Sequence, residues 1–131
     1  MESNVTRILV IEPNPDVRVF LARLLRRSGY EAIAAADCPS ADDLARRWQP
    51  AAILVDVSRP YASPQVLREQ LRVCDDVRRI PRIALTSQCN LDAPSARALG
   101  FAGFLNKPFH ISDLLDELAR LVEPGESDSA A

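Results

Sequence analysis

Four polar residues fall directly or closely behind short apolar runs. Glu12 follows Ile8-Leu9-Val10-Ile11, and Asp56 follows Ala51-Ala52-Ile53-Leu54-Val55. Thr86 and Ser87 follow Ile83-Ala84-Leu85, and Lys107 comes shortly after Ala102-Gly103-Phe104-Leu105. Two carboxylates can hold a hard divalent cation such as Mg²⁺ through oxygen. A hydroxyl and an ammonium can bind the oxygens of a phosphoryl group. Any one of these residues could simply mark where a buried strand meets solvent, and Thr86 alone could be a capping hydroxyl. Four of them, of the types that phosphoryl chemistry needs, point to a shared site.

The elements that must position them are legible as two alternating signals. Continuous apolar runs without alternation suit parallel strands buried on both faces, and Ala32-Ile33-Ala34-Ala35 adds a weaker fifth run. Between the runs lie segments of helical period. Val17, Phe20, Leu21, Leu24 and Leu25 form one stripe, with Gly29 as its stop. Ala41, Leu44, Ala45 and Trp48 form a shorter one. Leu67, Leu71 and Cys74 suggest a third helix with Pro64 in its first turn. The segment from Ala93 to Leu99 is weakly apolar, and Ile111, Leu114, Leu115, Leu118 and Val122 form the last stripe. None of the 10 prolines falls inside an expected strand. Strand and helix alternate about five times, which predicts an α/β fold with a parallel sheet and helices on both faces. In such a sheet ligands bind at the carboxyl ends of the strands, so Glu12, Asp56, Thr86 and Lys107 should converge on one rim.

Composition narrows the function classes. The 131 residues suit one domain, expected over residues 1–122, with residues 123–131 as a flexible acidic tail or the start of a linker. A hydrophobic content of 47% excludes wholesale disorder. No apolar run approaches the ~20 residues of a membrane span. The start, Met1-Glu2-Ser3-Asn4, lacks the pattern of a secretory signal, so a cytoplasmic location is expected. The net charge of -2 argues against a dedicated nucleic-acid binder. Cys38, Cys74 and Cys89 have no spacing typical of a zinc site or a redox dithiol, and read as free structural thiols.

With these motifs in place the chain resembles the receiver domain of two-component response regulators, of the chemotaxis-regulator-like kind, over roughly Arg7 to Val122. The resemblance rests on Ile8-Leu9-Val10-Ile11-Glu12, Ile53-Leu54-Val55-Asp56-Val57-Ser58-Arg59-Pro60, Ile83-Ala84-Leu85-Thr86-Ser87 and Gly103-Phe104-Leu105-Asn106-Lys107-Pro108-Phe109, in this order. It implies a flavodoxin-like five-stranded parallel sheet of order 2-1-3-4-5. It further implies that Asp56 accepts a phosphoryl group from a histidine kinase or phosphotransfer protein. Glu12, Asp56 and the Ser58 carbonyl would hold Mg²⁺, and Lys107 would pair with the acceptor. Thr86 would hydrogen-bond the phosphoryl oxygen, its movement coupled to rotation of the aromatic Phe104. Lys107-Pro108 would be a cis peptide, and Ser58 and Gln88 occupy positions that tune dephosphorylation. Output would pass through the surface of the fourth helix, fifth strand and fifth helix, to a downstream protein or a second copy of the chain. Such a domain is not an enzyme beyond its own phosphorylation and dephosphorylation, and it contacts neither nucleic acid nor membrane.

One departure bears on the metal. The family's first-strand motif has two adjacent acids, and the second position here is Pro13, which offers no carboxylate. Asn14 or a water could supply a neutral oxygen instead. Two alternatives follow: a pseudo-receiver that acts as a phosphorylation-independent interaction module, or an unrelated small nucleotide- or flavin-binding enzyme. The second lacks a Gly-rich loop after the first strand, where Glu12-Pro13-Asn14-Pro15 stands. Among lesser candidates, His110 reads as a helix-entry residue, Trp48 as a packing residue, and Cys89 as a neighbour of the site.

Overall fold

The computed structural model describes residues 5–57, 74–86 and 93–122. Five strands, β1 (Arg7–Ile11), β2 (Glu31–Ala35), β3 (Ala52–Asp56), β4 (Arg82–Thr86) and β5 (Gly103–Asn106), form one sheet. Every pairing is parallel, and the order is β2-β1-β3-β4-β5, as the resemblance implied. Alternate side chains of each strand point to opposite faces. Both faces are covered, which is why the strands read as unbroken apolar runs.

On one face Leu21 and Leu25 of α1 (Pro15–Arg27) and Leu114 and Leu118 of α5 (Ile111–Leu121) pack on Ile8, Val10, Leu54, Ile83 and Leu85. On the other, α2 (Cys38–Trp48), the short α3 (Asp75–Arg78) and α4 (Ala93–Ala98) cover Leu9, Ile11, Ile53, Val55 and Ala84. The expected third helix around Leu67 and Leu71 lies outside the described residues. Cys74 does not sit within a helix but precedes α3 as its N-cap.

Local chemistry fixes the helix ends. Asn14 caps α1, its side-chain oxygen accepting from the N–H groups of Asp16 and Val17 at 2.9 and 3.1 Å. Pro15 opens that helix, and Gly29, at φ +99°, carries the chain away from it. Asp37 caps α2 by accepting from Ser40 N–H at 2.9 Å. The arginine pairs at 46–47 and 78–79 lie at helix ends, and each arginine is paired with an acid one turn earlier.

One side chain departs from the sequence reading, and one charged side chain is buried. Phe20 is 61% exposed although it belongs to the apolar stripe of α1. The buried line of that helix is Leu21, Ala22 and Leu25, and one residue of helical rotation (~100°) turns Phe20 away from it. Arg82 is buried although it opens a central strand. Its guanidinium donates to the carbonyls of Val77 and Leu99, both at 3.3 Å, and lies 5.3 Å from the centroid of the Phe101 ring. Trp48 is half-buried, packs on the core as expected, and stacks under Arg7.

Candidate functional site

The parallel register decides which polar residues meet. Ile11 pairs with Val55, so the next residues, Glu12 and Asp56, stand side by side where β1 and β3 end. Asp56 pairs with Leu85 and Thr86 with Asn106, which brings the ends of β4 and β5 to the same rim. Lys107 N–H donates to the Thr86 carbonyl at 2.6 Å, fixing the backbone from which the lysine reaches back. The Lys107-Pro108 peptide is cis, in agreement with the expectation.

The side chains converge as well. Lys107 Nζ lies 3.2 Å from Asp56 Oδ1 and 3.8 Å from Glu12 Oε1. Glu12 is only 2% exposed. Its Oε2 accepts from Asn14 N–H at 3.1 Å, whereas its Oε1 is buried with no hydrogen-bond partner. Burial pushes the Glu12 carboxyl above its ordinary pKa, and the neighbouring Asp56 carboxyl adds to this; the Asn14 N–H and Lys107 act in the opposite direction. Arg18 closes the turn from α1, donating to the carbonyls of Glu12 and Pro13 at 2.9 and 3.4 Å.

A buried carboxylate oxygen without a donor, beside a second carboxylate, fits a hard divalent cation that completes its shell with water. Glu12 and Asp56 would hold it. Pro13 contributes no acid there. Asn14 is not a free substitute, because its carboxamide oxygen already accepts two N–H groups at the start of α1. Of the two neutral ligands left open by the sequence, water therefore remains. The cap role of Asn14 was available in the sequence, as an Asn directly before a Pro that opens a helix.

Thr86 is fully buried at the end of β4. Phe104 is half-buried and packs on the same core face. It also lines a cavity of about 180 Å³ between α4, β5 and α5, with Arg97, Phe101, Glu117 and Arg120. Arg120 is held at that cavity by Glu117 at 2.7 Å and by the Ala102 carbonyl at 2.9 Å. Ser58, Ser87, Gln88 and Cys89 lie outside the described residues. His110 stands at the N-cap of α5, its backbone N–H donating to Asp113 Oδ2 at 3.4 Å, which agrees with the helix-entry reading.

Comparison with known proteins gives one consistent result. Residues 8–119 match the response regulator receiver domain family. The polar-differentiation response regulator DivK of Brucella anthropi is 29% identical over 112 residues, covering 85% of this chain and 91% of that one. The transcriptional regulatory protein PdtaR of Mycobacterium tuberculosis is 32% identical over 114 residues, covering 83% of this chain and 53% of the relative. The response regulator MprA of Mycobacterium leprae is 33% identical over 129 residues, covering 95% and 54%. The chain thus spans about half the length of the last two. Among solved structures, the chemotaxis protein CheY4 of Vibrio cholerae superposes with a TM-score of 0.72 at 25% identity, covering 90% of this chain and 99% of that one. The receiver domain of the sensor histidine kinase PA1611 of Pseudomonas aeruginosa, which carries a magnesium ion in its active-site cleft, gives 0.71 at 30% identity, covering 89% and 97%.

Proposed function

The chain belongs to the response regulator receiver domain family, and from that premise we propose that it is a phosphorylation switch in a two-component phosphorelay with Asp56 as the acceptor. The observation that carries this reading is the Lys107 ammonium set between the carboxyls of Asp56 and Glu12 at the carboxyl edge of the sheet. An oxygen of the Asp56 carboxylate attacks the phosphorus of a phosphohistidine on a kinase or phosphotransfer protein. The new P–O bond forms as the P–N bond breaks, and the imidazole leaves with the bonding pair and takes up a proton. Lys107, already at hydrogen-bonding distance from Asp56, stays beside the resulting acyl phosphate and pairs with its oxygens.

Mg²⁺, when bound, neutralises charge on the transferring group. Glu12 and Asp56 would hold that ion through their carboxylates; the Ser58 carbonyl is the further ligand that the resemblance supplies. Thr86, buried at the end of β4, would hydrogen-bond the phosphoryl oxygen, its movement coupled to rotation of Phe104. Rotation of Phe104 would reshape the cavity between α4, β5 and α5, and with it the face offered to a downstream protein or a second copy of the chain. The switch acts on itself alone rather than turning over a substrate, and it works in the cytoplasm, without direct contact with nucleic acid or membrane.

Intact mass after incubation with a small phosphodonor, with and without Mg²⁺, tests the reading beside Asp56→Asn. A single phosphate adduct that depends on Mg²⁺ and vanishes in the variant is the expected result. Folded protein that takes up no phosphate from several donors at high Mg²⁺ would instead favour a second reading, a pseudo-receiver that binds its partner without phosphorylation. The absence of a carboxylate at Pro13 is the observation behind that alternative.

A further inference from the structure

The fold brings together two cysteines that the sequence keeps far apart. Cys38 opens α2 and Cys74 precedes α3. The two segments are stitched by Asp42 Oδ1, which accepts Val77 N–H at 3.0 Å. Asp42 lies one turn beyond Cys38 on α2 and Val77 three residues beyond Cys74, so that bond holds the two cysteine-bearing segments together. Cys38 packs against the core cluster that contains Cys74, and each thiol shifts the other's proton affinity. Cys74 is 1% exposed and belongs to the core, whereas Cys38 is only half-buried and open to a small reagent.

We propose that Cys38 and Cys74 are a disulfide-forming pair, with Cys38 the entry thiol and Cys74 the resolving one. The oxidant is a low-molecular-weight disulfide. The Cys38 thiolate attacks one sulfur of it, which forms a mixed disulfide and releases one thiol after protonation. The Cys74 thiolate then attacks the Cys38 sulfur, releasing the second thiol. Two protein thiols are oxidised and one disulfide is reduced to two thiols. The product ties α2 to α3 and closes a covalent loop that contains β3 and Asp56, which constrains the unfolded chain.

The tie forms slowly. Burial, then the neighbouring Cys74, push the Cys38 thiol up to about 12, with Asp37 adding to the shift and Arg82 opposing it. Cys74 is raised as well, by burial first and then by Asp42, with Asp75 a lesser contributor. Thiolate is therefore scarce near neutrality, and the pair responds to sustained oxidation.

The test uses the full chain with Cys89→Ser, incubated with excess oxidised glutathione, quenched in acid, alkylated in denaturant and weighed intact. Loss of two hydrogens, no free thiol, and a linked peptide pair carrying Cys38 and Cys74 are expected. A higher thermal midpoint that a reductant reverses should accompany them. Adding Cys74→Ser should instead leave a stable glutathione adduct on Cys38. The proposal is overturned if the adduct persists on Cys38 with Cys74 present, or if both thiols remain alkylatable after prolonged oxidation. Neither outcome bears on phosphorylation of Asp56, which is scored separately on reduced protein.

Discussion

At the scale of single residues the site is a charge problem. Glu12 and Asp56 set two buried carboxyls together, and Lys107 sets an ammonium between them. Residue 13 is a proline and adds no third acid to them. Unit charges ~4 Å apart interact by ~4 kcal/mol at an effective dielectric near 20. Pro13→Asp should therefore raise Mg²⁺ affinity by about tenfold or more, equivalent to ~1.4 kcal/mol, since hydration offsets much of the Coulomb gain. Calorimetric titration of Mg²⁺ into both proteins checks this. Equal affinities would mean that residue 13 does not face the ion. The same scale explains why Asn14 cannot stand in for the lost acid. Its carboxamide oxygen caps α1, and its N–H orients Glu12 by way of Oε2.

At the scale of elements, two helix ends carry predictions. Asn14→Ala removes the acceptor of two N–H groups at the start of α1, which should lower stability by ~1 kcal/mol. It should also leave the backbone N–H bond to Glu12 in place. Chemical denaturation measures the first effect, and unchanged phosphate uptake from a small donor measures the second. Gly100 follows α4 at φ +93°, where a Cβ would come within 2.7 Å of Arg82 Nη2. Gly100→Ala combines an unfavourable backbone conformation with displacement of a buried guanidinium. A loss of about 1–3 kcal/mol is expected by the same measurement. Gly29→Ala is the control, because its φ is similarly positive at +99° but no atom lies within 4 Å of the added carbon. It should cost less than Gly100→Ala, and the difference isolates the Arg82 contact.

At the scale of the whole molecule, the site depends on a central sheet buried from both sides. Leu54, in the middle strand, is fully buried beneath the α1 and α5 layer. Leu54→Ala should cost about 2–5 kcal/mol, a large part of the ~5–15 kcal/mol by which a domain of this size is stable. A fall of this size in the denaturation free energy is the expected outcome, with phosphate uptake lost in step with folding. A loss of uptake in a variant that remains fully folded would contradict it, since Leu54 touches none of the reacting groups.

Much of this was legible in the amino-acid order. Apolar runs gave the five strands because parallel strands buried on both faces need no polar alternation. The polar residue behind four of these runs marked the rim, because every strand of a parallel sheet ends on the same edge. Other features were not legible, each for a physical reason. Phe20 fits a helical stripe by spacing, but which side of α1 meets the sheet depends on how the helix is rotated against it. The burial of Arg82 leaves no local mark, because nothing nearby in sequence indicates that Val77, Leu99 and Phe101 will gather around its guanidinium. Cys38 and Cys74 carry no motif, and their meeting follows from the packing of α2 on α3. The sequence by itself determined the strand–helix alternation and the set of groups at the strand ends, since local propensity and burial on both faces are written residue by residue. The tertiary structure alone decided the 3.2 Å approach of Lys107 to Asp56, the orphaned oxygen of Glu12 and the engaged oxygen of Asn14, because each depends on where segments distant in the chain come to rest.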